Sequence, residues 1–257
     1  MRKIKKEVVI EVKDLRKVFR LGKEKVVAIN KMDFEIHKGE ICCILGTSGS
    51  GKSTLLNMMA GLEKPTKGYV KILGKEVTKM NEKKLAIFRQ KYIGFIFQSY
   101  NLMNALTAIE NVSLPLVFRG VSRNRRKQEA SKLLKAVGLE SHMKHKPTQM
   151  SGGQQQRVGI ARSFVGNPKV IFADEPTGNL DSKTSDEVLQ LMERIVKEKE
   201  QVLVIVTHDR SVTKYADKII HVLDGNIQSV EIVERKEEIN NEIKKGEEEI
   251  KHEEKSV

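Results

Sequence analysis

Tryptophan is absent from this 257-residue chain, and Phe, Trp and Tyr together make up only 5% of it. So few rings argue against a groove that reads sugars or single-stranded nucleic acid by stacking. Cysteine is almost as scarce: Cys42 and Cys43 are the only two, adjacent in an apolar run. Neighbours on a strand point to opposite faces, so no bond between them is expected. Two adjacent cysteines also lack zinc-site spacing. They read as small core residues, which suits a reducing compartment. Long apolar runs are missing too. Ile41–Leu45 and Val202–Val206 fall far short of the roughly 20 residues a membrane helix needs. The basic N-terminus lacks the apolar segment of a secretory signal. The expectation is a soluble, cytoplasmic protein that reaches a membrane only through a partner or its surface.

Lysine and arginine are in excess. The formal net charge is +13, and residues 231–257 hold ten glutamates against six Lys and Arg. The tail is therefore acidic and the body more basic than the total suggests. Such a body suits nucleic acid, an anionic membrane surface or an acidic partner, and charge alone does not rank them. The hydrophobic share of 39% is ordinary for a globular protein, and the length allows one large domain or two small ones.

Apolar periodicity predicts strands at Val8–Val12, around Phe34 and Ile36, and at Ile41–Leu45, Tyr69–Leu73, Ile93–Phe97, Val170–Ala173 and Val202–Val206. Helices are expected over Ser53–Ala60, Asn124–Ala136 and Lys183–Lys199, with a hairpin at Lys218–Ile227. Strands alternating with helices indicate an α/β fold with a mainly parallel sheet. Beyond Val230, Ile232, Ile239, Ile243 and Ile250 form a narrow helical stripe, interrupted by Gly246.

Gly46-Thr47-Ser48-Gly49-Ser50-Gly51-Lys52-Ser53 carries the clearest chemistry. It fulfils G-x-x-x-x-G-K-[ST] between an apolar strand and a helix. The glycines let successive backbone N–H groups face phosphate oxygens. Lys52 can reach the β- and γ-phosphates, and the Ser53 hydroxyl can ligate magnesium, with Thr54 next in line. The following helix offers its positive end to the anion. ATP with Mg²⁺ is the expected ligand. Asp174 and Glu175 end the strand at Val170–Ala173. Asp174 is placed to hold magnesium and Glu175 to polarise a water.

Ser151-Gly152-Gly153-Gln154 opens a second helix with a bare N-terminus suited to phosphate. With this segment the chain resembles the ATP-binding-cassette (ABC) ATPases, whose signature is usually Leu-Ser-Gly-Gly-Gln. Met150 departs from that pattern but keeps the apolar volume. The resemblance covers about residues 7 to 228. It implies a phosphate-loop core with a mainly parallel sheet, an antiparallel β subdomain and an inserted helical subdomain at about residues 100–160. The cassette would span residues 1–230, with a charged tail at 231–257.

The same resemblance assigns roles. Gln98 matches a glutamine that contacts magnesium and the attacking water. Asp181, in Asn179-Leu180-Asp181, lies in the family's D-loop. His208 matches the histidine that contacts the γ-phosphate. Phe19 sits where the family places an aromatic ring on adenine. Thr47 replaces a common proline. Phe95–Leu102 and Leu106–Val112 narrow the likeness to the ATPases of macrolide-type exporters, lipoprotein-release systems and antimicrobial-peptide resistance transporters. The implied function is an ATPase subunit that energises export or extraction of a peptide, lipoprotein, antibiotic or similar amphiphile. The implied partners are a second copy of the chain and an integral-membrane permease, at the inner face of the cell membrane. Driving envelope signalling without transport is the alternative. A soluble cassette acting on ribosomes or DNA ranks lower. Arg123, Arg125, Arg126 and Lys127 read as a solvated helix face, and no nucleic acid is expected.

Overall fold

The computed structural model describes residues 7–22 and 24–233. Among the described residues, ten strands form two sheets, with six α-helices around them. The smaller sheet is antiparallel. It combines β1 (Val8–Leu21), β2 (Glu24–His37), β4 (Lys67–Ile72) and β5 (Lys75–Glu76) in the order β2-β1-β4-β5. The larger sheet combines β3 (Ile41–Leu45), β6 (Ile93–Phe97), β7 (Val170–Asp174), β8 (Val202–Thr207), β9 (Lys218–Leu223) and β10 (Asn226–Ile232). Its order is β10-β9-β3-β8-β7-β6. All its pairs are parallel except the closing hairpin β9–β10. Asp224 and Gly225 both take positive φ there, as a two-residue hairpin turn requires.

β3, β7 and β8 are apolar on both faces because both faces are covered. On one face, Ile41, Cys43, Leu45, Ile171, Ala173, Leu203 and Ile205 pack into the cluster that also holds Val158 and Ile160. On the other, Cys42, Ile44, Phe172, Val204 and Val206 pack with Leu55, Met58 and residues of the antiparallel sheet. Cys42 and Cys43 thus fall on opposite faces, and both are free thiols. Fully burying each Val, Leu, Ile or Phe of these strands contributes about 1.5–3 kcal/mol. Phe172→Ala would cost about 3–5 kcal/mol, since the rigid surroundings cannot fill the void.

The helices are α1 (Lys52–Met59), α2 (Glu82–Tyr92), α3 (Ala108–Phe118), α4 (Arg123–Ala136), α5 (Gly152–Phe164) and α6 (Ser182–Glu198). α3 starts with a capping box between Thr107 and Glu110. That exchange of hydrogen bonds holds the Glu110 carboxyl below its ordinary value. α3, α4 and α5 pack on one another and form the helical part between β6 and β7. None of the helices among the described residues is long and apolar enough to cross a membrane.

Three expectations are corrected. β1 runs to Leu21, well past Val12, because β2 and β4 pair with its charged second half. α2 is an addition: no helix was expected over Glu82–Tyr92, ahead of the helical subdomain that the resemblance implied at about residues 100–160. Ile232 lies in strand β10, paired with Lys218, so it cannot begin a helical stripe. Ile239, Ile243 and Ile250 lie outside the described residues.

Candidate nucleotide site

Where β3 meets α1, the chain must turn within a few residues, and glycine makes this possible. Gly49 and Gly51 take φ of +81° and +97°, a region costly for residues with a Cβ. Gly46 is needed for space: a Cβ there would lie 2.2 Å from the Val222 carbonyl oxygen. The loop is pinned from behind. Gly46 N–H donates to the Thr207 carbonyl at 3.3 Å, and Gly225 N–H to the Ser50 carbonyl at 3.1 Å. Lys52 is nearly buried, and its Nζ donates to the Thr47 carbonyl at 2.7 Å.

These residues border a cavity of about 1240 Å³. Gly46, Thr47, Ser48, Gly49, Gly51, Lys52, Ser53 and Thr54 form its floor, with Gln98, Glu175 and His208 at one side. Ser50 does not line it; its hydroxyl oxygen is buried beneath the loop without a partner. Val26, Val27 and Ala28 give the cavity an apolar wall. A glycine-rich loop, a reachable ammonium and a bare helix end are together the donor set for a polyphosphate.

The parallel pairing of β7 with β8 places the carboxylates. Asp174 lies beside Val206 in register, and its Oδ1 is 3.4 Å from Ser53 Oγ. Burial pushes the Asp174 carboxyl above its ordinary range; Glu175 adds to the rise, while Ser53 and Lys52 oppose it. A cation would relieve that cost. No three of His, Cys, Asp or Glu cluster as a metal cage among the described residues. One hydroxyl and one carboxylate beside a phosphate loop instead fit magnesium, which takes few protein ligands and completes its shell with phosphate and water. Gln98, also on the cavity wall, is within the same region.

Glu175 follows at φ +46°, with its N–H on the Val206 carbonyl at 2.9 Å. Thr207 Oγ1 donates to its Oε2 at 2.9 Å. His208 holds its Oε1 through the backbone N–H at 3.2 Å and the ring Nδ1 at 2.8 Å. Sequence reasoning missed Thr207. The available signal was a hydroxyl at the end of an apolar strand, directly before His208.

The helix α5 begins at Ser151, whose side chain and that of Gln154 form a reciprocal cap. A Cβ on Gly152 would lie 2.9 Å from the Tyr100 hydroxyl, and one on Gly153 would lie 2.8 Å from a Thr184 methyl. Arg162, farther along α5, donates to the Tyr100 and Asn101 carbonyls at 2.8 and 2.5 Å. Burial lowers its pKa. Asn179 Nδ2 donates to the Gln98 carbonyl at 2.9 Å. These hydrogen bonds tie α5 to Tyr100 and Asn101, and the Asn179 turn to Gln98.

Some anticipated residues lie elsewhere. Ser151, Gly152, Gly153 and Gln154 do not line the cavity, nor does Asp181. Asp181 caps α6 instead, accepting from Thr184 N–H at 3.0 Å and Thr184 Oγ1 at 2.6 Å. Phe19 is absent from the lining as well. It pairs in register with Val26, and Lys17 Nζ sits 4.8 Å from its ring centre.

Comparison with known proteins matches the geometry. The family described as ABC transporter matches residues 29–178. An uncharacterized ABC transporter ATP-binding protein of Thermotoga maritima is 48% identical, over 87% of this chain and 95% of that protein. YtrE of Bacillus subtilis, an ABC transporter ATP-binding protein, is 46% identical over 84% of this chain and 95% of its own. The macrolide export ATP-binding/permease protein MacB of Syntrophobacter fumaroxidans is 42% identical over 85% of this chain, but only 31% of MacB is covered. Among solved structures, the cassette MJ0796, bound to ADP and Pi as a dimer after hydrolysis, superposes with a TM-score of 0.82. It is 40% identical, and the match covers 88% of this chain and all of that one. The chain belongs to the ABC transporter family, as a cassette that binds and hydrolyses ATP.

Proposed function

We propose that this cassette is the energy-supplying subunit of a membrane transporter, working as a pair around two shared nucleotides. One observation carries the reading. The cavity has a phosphate floor, a magnesium-ligand pair and a carboxylate, yet Ser151–Gln154, the chain's second phosphate-binding helix end, does not line it. A second copy can supply that end, with Ser151–Gly153 of one subunit closing over Gly46–Ser53 of the other. Asp181 caps α6 through Thr184, whose methyl faces Gly153, which supports a place for Asp181 in the same closure.

The chemistry follows from the residues. Lys52 and the loop N–H groups neutralise the β- and γ-phosphates and make charge-assisted hydrogen bonds. Magnesium, when bound, screens the phosphate charge, and Ser53, Asp174 and Gln98 would hold it. Glu175 orients and polarises the attacking water, and His208 faces the γ-phosphate. Phe19 does not line the cavity, but its strand partner Val26 does, and an adenine-facing role for Phe19 remains part of this proposal. Two subunits closing on ATP, and parting after hydrolysis, deliver motion to whatever packs on them.

The receiver is an integral-membrane permease. In MacB, the name itself joins ATP-binding and permease parts in one longer chain. This chain matches 31% of that longer protein, and among its described residues no helix is long and apolar enough to cross a membrane. On this reading the cassette docks on a permease at the inner face of the cell membrane, serving export or extraction of a peptide, lipoprotein, antibiotic or similar amphiphile. Purification of the tagged chain from native membranes, followed by identification of bound proteins, tests this. A co-purifying membrane permease is the expected result. Recovery with ribosomes or DNA, and with no membrane protein, would contradict it.

A further inference from the structure

The serine that opens α5 is held by a chain of hydrogen bonds that starts outside the signature. Ser151 Oγ accepts from Gln154 N–H at 3.3 Å. An oxygen that accepts there keeps its own proton free to donate outward. In return, Gln154 Oε1 accepts from Ser151 N–H at 3.0 Å. The other terminal atom of Gln154 is then an NH₂ group, and it lies 3.1 Å from His142 Nε2. Two donors cannot share this contact, so Nε2 is the acceptor and the ring carries its proton on Nδ1. Ser141 Oγ lies 2.9 Å from that Nδ1 and can accept from it. His145 braces the ring edge-on at 5.0 Å, and its backbone N–H donates to the His142 carbonyl at 3.0 Å.

We propose that His142 is a positioning residue for Ser151, selecting through its Nε2 the one orientation of the Gln154 amide that completes the cap. If that amide turned over, its NH₂ would face the Ser151 N–H, donor against donor. The cap would break, and Ser151 would lose its fixed aim. The role of Ser151 itself rests on the two-subunit reading above.

The test compares His142→Leu, which removes the acceptor, with His142→Gln, which places an amide oxygen near the former Nε2. Both are made beside Glu175→Gln, which slows hydrolysis, and dimer formation is followed by light scattering during ATP titration. His142→Leu is expected to need about tenfold more ATP for half-maximal dimer, the loss of a hydrogen bond at each of two sites. His142→Gln is expected to restore the parental midpoint within about twofold. Binding of a fluorescent ATP analogue by the monomer should be unchanged in both. Equal midpoints for the parent and His142→Leu, or equal defects in the Leu and Gln variants, would overturn the proposal. Amide hydrogen exchange in the monomer gives an independent readout: Ser151 N–H should lose protection in His142→Leu and regain it in His142→Gln. Should the Glu175→Gln parent itself stay monomeric, the two-subunit reading fails, and exchange alone decides the role of His142. Unchanged protection of Ser151 N–H would then overturn it.

Discussion

The ring Nδ1 of His208 lies 2.8 Å from Oε1 of Glu175. The imidazole is largely exposed while the carboxylate is mostly buried. The anchored partner is therefore Glu175, and His208 is the one free to move. Thr207, one residue earlier, fixes the other carboxylate oxygen from a fully buried position. The end of β8 thus sets both the place of Glu175 and the reach of His208. The Gly46 N–H on the Thr207 carbonyl ties the phosphate loop to the same strand end.

Lys52→Ala should weaken ATP binding by roughly 100-fold, the cost of losing a charge-assisted contact from a nearly buried ammonium. Equilibrium titration with a fluorescent ATP analogue measures it. The fold should survive, because Lys52 Nζ makes its one described hydrogen bond to the exposed loop carbonyl of Thr47. Tight binding retained by a folded variant would contradict the assignment of the loop.

Ser151→Arg should abolish hydrolysis and leave nucleotide binding by the isolated subunit unaffected. Ser151 is exposed and outside the cavity lining of its own chain, so a bulky cation there obstructs the approach of a partner. Phosphate release and analogue binding, measured on the same preparation, separate the two effects. Hydrolysis at the parental rate would contradict a site shared between copies.

Thiol reactivity should report global unfolding. Burial pushes the Cys43 thiol up to about 12 from an ordinary value of 9.0, and Cys42 is raised well above that value by the same cause. The native state therefore keeps protons that the unfolded state releases. Stability should decline as pH rises from the ordinary thiol range toward the folded values, and it should be unaffected by these groups below that range. At pH 8 an exposed-thiol reagent should label neither cysteine until denaturant is added. Rapid labelling of the folded chain would show that the two faces of β3 are not sealed.

Local chemistry was legible in the sequence, and long-range pairing was not. Gly46–Ser53 could be read because a tight turn around phosphate restricts residue type at nearly every step. The strands β3, β7 and β8 were legible because burial on both faces leaves an unbroken apolar run. The second half of β1 was hidden. Lys13, Arg16, Lys17 and Arg20 give it no apolar alternation, and its hydrogen bonds come from β2 and β4. The roles of Thr207 and His142 were equally hidden. One depends on the register of β7 against β8, the other on a loop that carries His142 back to Gln154. Phe19 shows the opposite case. Its position in the sequence pointed to adenine, yet in the fold its neighbour Val26 forms the cavity wall.

In the proposed dimer, one chain holds half of each nucleotide site. The most direct measurement is light scattering of Glu175→Gln with ATP and Mg²⁺. Slowed hydrolysis should leave ATP clamped between Gly46–Ser53 of one copy and Ser151–Gly153 of the other. A dimer with ATP and a monomer without it are the expected result. A chain that stays monomeric at saturating ATP, while still binding the nucleotide, would contradict it.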